Sequence, residues 1–232
     1  MNEISAADNN YITFRFRYKK LLCVMFGFTI FILGSCSYLI SVAEDMKWDF
    51  LSDFRFMTIN GTLFTSVISL ATFIIGIYEL MTGENIRPKR LYFLRLISVV
   101  TECVIAAVIL MSFLPFVPDS PNILKFDSFI MHIVIPILTI ISFLIAEPPE
   151  GKIKPIMRMN GSALITIYAV VIISLILVGV IPQNKIPYSF LEVNTRPLWY
   201  VLLAGAIVYA GSYFLSWGFI EWNRRISDNW YK

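Results

Sequence analysis

The stretch LLCVMFGFTIFILGSCSYLI at residues 21–40 contains twenty residues and no charged side chain. A helix that crosses the hydrocarbon core of a bilayer needs about 20 mostly apolar residues, so this stretch is long enough to be one. Backbone amides and carbonyls inside a bilayer must pair within the protein, and a continuous apolar run pairs them as an α-helix. The stretch therefore predicts a transmembrane helix.

The composition of the whole chain agrees with this prediction. The 232 residues are 57% hydrophobic and only 15% charged, and the mean hydropathy is +0.72. A soluble domain of this length is more polar, so the composition indicates a polytopic membrane protein. The net charge of +3 is small, and no basic segment interleaved with aromatic residues indicates a nucleic-acid partner.

Six apolar runs are long enough to span a membrane. They cover approximately residues 20–43, 55–80, 92–116, 127–146, 160–181 and 198–220. The segments between them contain proline, glycine, asparagine and charged residues, which are typical of turns. Membrane β-strands would instead appear as alternating segments of about 10 residues. The predicted fold is all-α, with six transmembrane helices in one domain.

Lysine and arginine predict the orientation, because cytoplasmic loops are enriched in both. One side of the membrane receives Arg15, Arg17, Lys19, Lys20, Arg87, Lys89, Arg90, Arg95, Lys152, Lys154, Arg158, Arg224, Arg225 and Lys232. The other side receives Lys47, Arg55, Lys125, Lys185 and Arg196. We therefore predict a multi-pass protein of the cell membrane with both termini inside. Its parts are a cytoplasmic N-terminal segment (1–19), a transmembrane domain (20–223) and a cytoplasmic tail (224–232).

The tetrapeptide LGSC at 33–36 offers an alternative for the first helix. It resembles a lipoprotein cleavage site, and processing before Cys36 would remove that helix. The apolar run continues beyond Cys36 through residues 38–40, and five further spans follow. These features favour a retained transmembrane helix.

Small and hydroxylic residues recur along one face of the second span. Thr58, Thr62, Thr65, Ser69, Thr72 and Gly76 follow one another at intervals of three or four residues. Membrane helices pack closely through such residues, so a packing face is the favoured interpretation. A polar site is the alternative, with Asn60 near the predicted outer end of the same helix.

The fourth span contains the only histidine, His132, in the stretch FDSFIMHIVIPIL at 126–138. Pro136 should kink this helix, because it removes the hydrogen bond to the carbonyl of residue 132. His132 could be a neutral histidine bonded across helices, a pH or ligand sensor, or a catalytic base. Thr58 and His132 are both predicted to lie about 5–8 Å below the outer end of their helices. A hydroxyl beside a base is the minimum needed for nucleophilic acyl chemistry.

The remaining candidate groups give weaker signals. Glu102 lies in the middle of the third span, where it is expected to be protonated or paired with a polar group on another helix. Glu79 is close enough to the predicted inner end to pair with Arg87 or Lys89. Cys23, Cys36 and Cys103 are scattered through apolar runs, so we expect reduced thiols and no metal site. No motif implies a cofactor.

Three short motifs, in this order, resemble the bacterial Pr-six-Pr family of six-helix membrane proteins. They are FRFMTINGTLF at 54–64, MHIVIPIL at 131–138 with the linker EPPEGKIKP after it, and IPYSFLEVN at 186–194. The resemblance covers about residues 20–225. The family is distantly similar to the androgen-induced-protein family of intramembrane hydrolases, which cleave fatty acid esters of hydroxy fatty acids with a threonine and a histidine. The resemblance implies Thr58 as the nucleophile and His132 as the base, although the offsets of Asn60 and Pro136 differ from the family pattern.

Three classes of function follow from these observations. The favoured one is a lipid-ester hydrolase or acyltransferase, with membrane lipids as partners and a lipid ester as substrate. Asn60 and Thr62 are the candidates for binding the substrate or its oxyanion. The alternatives are a lipid- or solute-binding or sensing protein without covalent chemistry, in which His132 is structural or pH-responsive, and a structural or assembly subunit.

Overall fold

The computed structural model describes residues 6–44, 54–110, 125–147, 155–182, 185–188 and 196–230. Within these ranges the secondary structure is entirely helical. The helices are α1 (Ala6–Glu44), α2 (Met57–Thr82), α3 (Lys89–Val108), α4 (Phe126–Ala146), α5 (Ala163–Leu177) and α6 (Leu198–Trp230). A 3-10 helix, Pro155–Ser162, leads into α5. Six helices are long and apolar enough to cross a membrane, as the sequence predicts.

The first and last helices are longer than the apolar runs that predicted them. Helix α1 begins at Ala6, so part of the predicted N-terminal segment continues the first span as helix. Helix α6 extends to Trp230, into the predicted cytoplasmic tail. Hydropathy detects only the apolar part of a helix, whereas backbone hydrogen bonding continues through polar residues that contain no proline.

Helices α1 and α2 pack along much of their length. The contact is close at Gly27, where an added Cβ would lie 2.9 Å from the Ser69 carbonyl oxygen and 3.0 Å from the Phe73 nitrogen. At Gly76 an added Cβ would lie 2.8 Å from a methyl group of Val24. The hydroxylic residues of the α2 face from Thr62 to Thr72 are buried against neighbouring helices. The predicted packing face is confirmed.

Helix α3 lies at the centre of the bundle and contacts α2, α4, α5, α6 and the 3-10 helix. Its buried apolar side chains include Leu96, Val99 and Val100. Tyr92 and Phe143 of α4 stack at a centroid distance of 5.3 Å, and Phe219 of α6 packs against Phe143 at 6.3 Å. This core fixes the positions of the four helices that surround the cavity described below.

Helix α4 is not a uniform α-helix. It contains a π-helical turn at Ile130–Val134, followed by a regular segment that starts at Ile135 with Pro136 in its first turn. A second π-helical turn, Ser142–Ala146, ends the helix. A proline cannot donate to the carbonyl four residues earlier, and widening the preceding turn relieves the conflict. The sequence predicted a kink at Pro136, and the structure has a π-turn before it that contains His132.

Candidate functional site

A cavity of about 250 Å³ lies in the half of the bundle where α2 begins and α3 ends, which is the predicted outer half. Its walls come from four helices and from Tyr188 in the segment before α6. Most lining side chains are aliphatic: Val104, Ile105, Val108, Ile109, Ile165, Ile173, Val201 and Val208. This volume is near the lower end of the range for small-molecule sites, so the cavity suits one alkyl chain better than a bulky ring system.

Polar groups line one part of this cavity, at the start of α2. Tyr188 accepts a hydrogen bond from the backbone N–H of Met57 (3.2 Å) and is also hydrogen-bonded to Thr58 and Tyr168. Tyr168 donates its hydroxyl proton to the carbonyl oxygen of Arg55. Phe56, the residue before the helix, provides no side-chain cap, so Tyr188 satisfies an N–H that the helix itself leaves free. We call Thr58, Tyr168 and Tyr188 the hydroxyl cluster.

Burial raises the pKa of the Tyr188 phenol. The phenol therefore keeps its proton through the neutral range and can donate a hydrogen bond. Arg55 adjoins this end of the cavity, because its carbonyl oxygen accepts from Tyr168, and its guanidinium donates to the Lys185 carbonyl oxygen at 2.9 Å. A donor cluster with positive charge nearby is suited to a carboxylate or another anionic head group.

The cavity opens sideways between α5 and α6. Val170 on α5 is 61% exposed, and Tyr209 on α6 is 39% exposed, yet both line the cavity. Gly205, another lining residue, would meet nothing within 4 Å if it carried a Cβ. In a bilayer this gap would face lipid, so a ligand could enter along the membrane plane.

The predicted site residues of α2 lie in different environments. Thr58 lines the cavity. Asn60 uses its side-chain amide to donate to the carbonyl oxygens of Phe54 (2.6 Å) and Phe56 (2.9 Å). Thr62 is completely buried, and its hydroxyl has no hydrogen-bond partner among the described residues. The structure thus brings Thr58 to the cavity, whereas the Asn60 amide holds the chain that enters α2.

His132 is bonded within its own helix. Its Nδ1 atom lies 2.8 Å from the Ser128 carbonyl oxygen and 3.1 Å from the Ser128 hydroxyl oxygen. A carbonyl oxygen can only accept, so Nδ1 carries the proton and Nε2 is the ring's acceptor. His132 is not among the residues that line the cavity. The predicted pair, Thr58 and His132, is joined by no hydrogen bond that the structure gives for either side chain, and its catalytic role stays a prediction.

A buried network of charges lies at the opposite, predicted inner end of the bundle. Arg95 is fully buried and donates to Glu147 (2.9 Å), Ser69 (3.0 Å) and Ser142 (2.7 Å). Arg87 donates to the same carboxylate of Glu147 at 2.8 Å. The network ties α2, α3 and the end of α4 together through one carboxylate.

Further polar contacts complete this network. Glu79 and Arg87 form an ion pair at 3.5 Å, which confirms the pairing predicted for Glu79. Burial alone would lower the pKa of Arg87, but Glu147, Cys23 and Glu79 together outweigh this effect and hold the pKa above its ordinary value. Asn223 of α6 donates to the carbonyl oxygens of Phe143 (2.9 Å) and Glu147 (3.0 Å). All of these groups have partners, so the network is suited to holding the helices in place.

From the sequence, Arg95 is predicted to belong to a cytoplasmic loop, and no role is predicted for Glu147. The sequence nevertheless contains one indication that Arg95 forms a buried ion pair. Arg95 interrupts the apolar run LYFLRLISVV at 91–100, and an arginine at such a position needs a buried anionic partner. Periodicity cannot say which carboxylate that partner is.

Among the residues that the structure describes, no group of three or more histidine, cysteine, aspartate or glutamate side chains could hold a metal ion. Cys23, Cys36 and Cys103 are free thiols. Buried Cys23 donates its S–H to the Ala146 carbonyl oxygen at 3.0 Å, which is a structural contact between α1 and α4.

Comparisons with protein-family models, with curated proteins and with solved structures find no match to this chain. The Pr-six-Pr resemblance therefore rests on the three quoted motifs and stays a prediction. The function has to be argued from the cavity and its polar end.

Proposed function

We propose that this is a membrane protein that binds the alkyl chain of a single-chain anionic lipid, such as a fatty acid, in the cavity. The observation that carries the proposal is the combination of aliphatic walls with the hydroxyl cluster at one end. The surrounding bilayer is as apolar as the cavity wall, so burying an alkyl chain there gains little free energy. Selective binding must come from the polar end, where Tyr188 donates and Arg55 supplies positive charge.

The test is the substitution Tyr188→Phe, assayed by fatty acid binding to the protein in lipid nanodiscs. A hydrogen bond to a charged group contributes about 1.5–3 kcal/mol, so the dissociation constant should rise by about 10- to 150-fold. The wild-type protein should also prefer the free acid over its methyl ester, because the ester carries no charge. Empty nanodiscs give the background from simple partitioning.

Tyr209→Phe is the matched control, because Tyr209 lines the same cavity outside the hydroxyl cluster. It should keep its affinity to within about threefold, a change of less than 1 kcal/mol. Equal losses in both variants would show that the hydroxyl cluster has no special role. Unchanged affinity in Tyr188→Phe would overturn the proposed polar end.

Hydrolysis or acyl transfer of a lipid ester is the second candidate, and the position of Thr58 in the cavity favours it. In this mechanism the Thr58 hydroxyl oxygen attacks the ester carbonyl while an imidazole nitrogen takes its proton. The ester C–O bond then breaks, the alcohol leaves with that proton, and water or a second alcohol releases the acyl group from Thr58. The orientation of His132 leaves Nε2 free to act as that base. Binding is the better supported function, because it requires only groups that line the cavity or adjoin it.

A fluorogenic fatty acid ester in nanodiscs tests the second candidate. If it holds, Thr58→Ala and His132→Ala each reduce ester cleavage by at least about 100-fold, which corresponds to the contribution of general acid–base catalysis. Thr58→Ala should still bind fatty acid. Ester cleavage at the wild-type rate in either variant would exclude the mechanism without affecting the binding proposal.

A further inference from the structure

Buried polar side chains without partners gather between α2, α3 and α4, away from the cavity. Glu102 is 0% exposed, and both of its carboxyl oxygens lack a well-formed hydrogen bond among the described residues. The hydroxyls of Thr62, Thr65, Thr101 and Thr139 are also 0% exposed and unpartnered there. Buried polar atoms are nearly always satisfied in native proteins, so a group of this size calls for a ligand.

Contacts between the helices place these side chains together. The Thr65 side chain lies close to the Glu102 carboxyl, although the two groups form no well-aligned hydrogen bond. At Gly61, one residue before Thr62, an added Cβ would lie 2.9 Å from the methyl carbon of Thr101. Helices α2 and α3 therefore approach closely at the level where Thr62, Thr65, Thr101 and Glu102 occur.

Thr139 of α4 is brought to the same region by Arg95. The Arg95 guanidinium holds Ser69 of α2 and Ser142 of α4 at 3.0 and 2.7 Å. Thr65 lies one helical turn before Ser69 on α2, and Thr139 lies one turn before Ser142 on α4. Each threonine is therefore on the same face of its helix as the serine, and both are displaced in the same direction along the bundle. The two threonines therefore lie one turn beyond the Arg95 level, in the direction of Glu102 along the bundle.

Among the described residues, no cation pairs with Glu102 in this layer. Arg95 is seven residues away, or roughly 10 Å along α3, and its donors are engaged by Glu147, Ser69 and Ser142. Other ionisable groups on the helices packed against this layer include Tyr78 and Glu79 of α2, Tyr92 and Cys103 of α3, Asp127 and His132 of α4, and Lys19, Lys20, Cys23, Cys36 and Tyr38 of α1. Glu79 is paired with Arg87, and His132 is bonded to Ser128. An unpaired carboxylate buried in this way is costly.

We propose that Glu102 and the surrounding threonine hydroxyls bind a small monovalent cation such as Na⁺. Carboxylate and hydroxyl oxygens are hard ligands, which alkali and alkaline-earth ions prefer. One carboxylate neutralises one positive charge, so a monovalent ion leaves the site neutral, whereas a divalent ion would leave a buried positive charge. The bound ion would also satisfy hydroxyl oxygens on three helices and so tie α2, α3 and α4 together.

Thermal unfolding of the purified protein tests the site. The melting temperature Tm is measured in NaCl and in N-methylglucamine chloride at equal ionic strength and at several pH values. The proposal predicts a saturable, Na⁺-dependent rise in Tm, of about 3–6 °C when Na⁺ is at ten times its Kd. Glu102→Gln should lose this response. Glu221→Gln is the control, since Glu221 pairs with Arg224 and Arg225 on the surface of α6, and it should keep the response.

Thr65→Val provides a second variant if Glu102→Gln does not fold. It removes one hydroxyl oxygen at nearly constant volume and should weaken Na⁺ binding by about tenfold. A Tm that responds to pH but not to Na⁺ would mean that Glu102 is held as a protonated acid, and it would overturn the proposal. A Tm that is insensitive to both, or full Na⁺ affinity in both variants, would overturn it as well. None of these outcomes bears on fatty acid binding in the cavity.

Discussion

Glu147→Ala is expected to lower the free energy of unfolding by about 3–5 kcal/mol, which is the usual effect of removing one partner from a buried ion pair. Glu147 accepts hydrogen bonds from both Arg95 (2.9 Å) and Arg87 (2.8 Å), and its side chain is fully buried. Without it, Arg95 remains completely buried with only two serine hydroxyls as partners. The loss is measured by reversible unfolding in mixed micelles.

The matched control is Glu221→Ala. Glu221 also contacts two arginines, each at 3.0 Å, but on the partly exposed surface of α6. Such surface pairs contribute about 0–1 kcal/mol. A second comparison uses the double variant Arg95→Met with Glu147→Met, which removes both charges and should be less harmful than Glu147→Ala. Equal destabilisation by Glu147→Ala and Glu221→Ala would contradict the structural role of the network.

Gly205→Trp is expected to weaken fatty acid binding at least about tenfold, because the indole would occupy the space that the alkyl chain needs. Gly205 lines the cavity at its lateral opening, and an added Cβ there meets no atom within 4 Å. The larger side chain can therefore be accommodated without displacing the backbone. A tenfold loss of affinity corresponds to about 1.4 kcal/mol of binding free energy, and we expect partial exclusion of the alkyl chain to cost at least that much. Binding is measured in nanodiscs, as for Tyr188→Phe.

Gly211→Trp is the control for Gly205→Trp. Gly211 lies on the same helix, an added Cβ there also meets nothing within 4 Å, and the residue lines a different groove of α6. Both variants replace glycine in the interior of one helix, so their effects on helix propensity should be similar. If Gly211→Trp reduces binding as much as Gly205→Trp does, the ligand does not occupy the cavity.

The sequence predicts the number and approximate position of the spans, because each span needs its own run of apolar residues. It also predicts the buried face of α2 from Thr62 to Thr72, since small and hydroxylic residues at helical spacing are what close helix packing requires. For Glu79 the sequence left open whether it snorkels or pairs with Arg87 or Lys89, and the structure pairs it with Arg87. Each of these features depends on one helix or on residues close in sequence, so the spacing of residues along the chain is enough to predict it.

The cavity could not be predicted in this way. Tyr168 and Tyr188 meet Thr58 only because three separate segments converge at the start of α2. Tyr188 lies in the segment before α6. From the sequence, the motif IPYSFLEVN in this segment contributed to the family resemblance but did not predict a cavity residue. The contact between Glu147 and Arg95 is likewise a long-range one, since the partners are 52 positions apart in the sequence. Which helices neighbour each other is a property of the packed bundle, and no single helix specifies it.

The most direct test of lipid binding in the cavity is photo-crosslinking of the wild-type protein with a diazirine-bearing fatty acid in nanodiscs, mapped by peptide mass spectrometry. The account predicts that crosslinks concentrate on residues 165–173 and 201–209 and that unlabelled fatty acid competes them away. Gly205→Trp should abolish them. Crosslinks spread evenly over exposed side chains such as Met25 and Trp217, without competition, would show only contact with bulk lipid and would contradict the account.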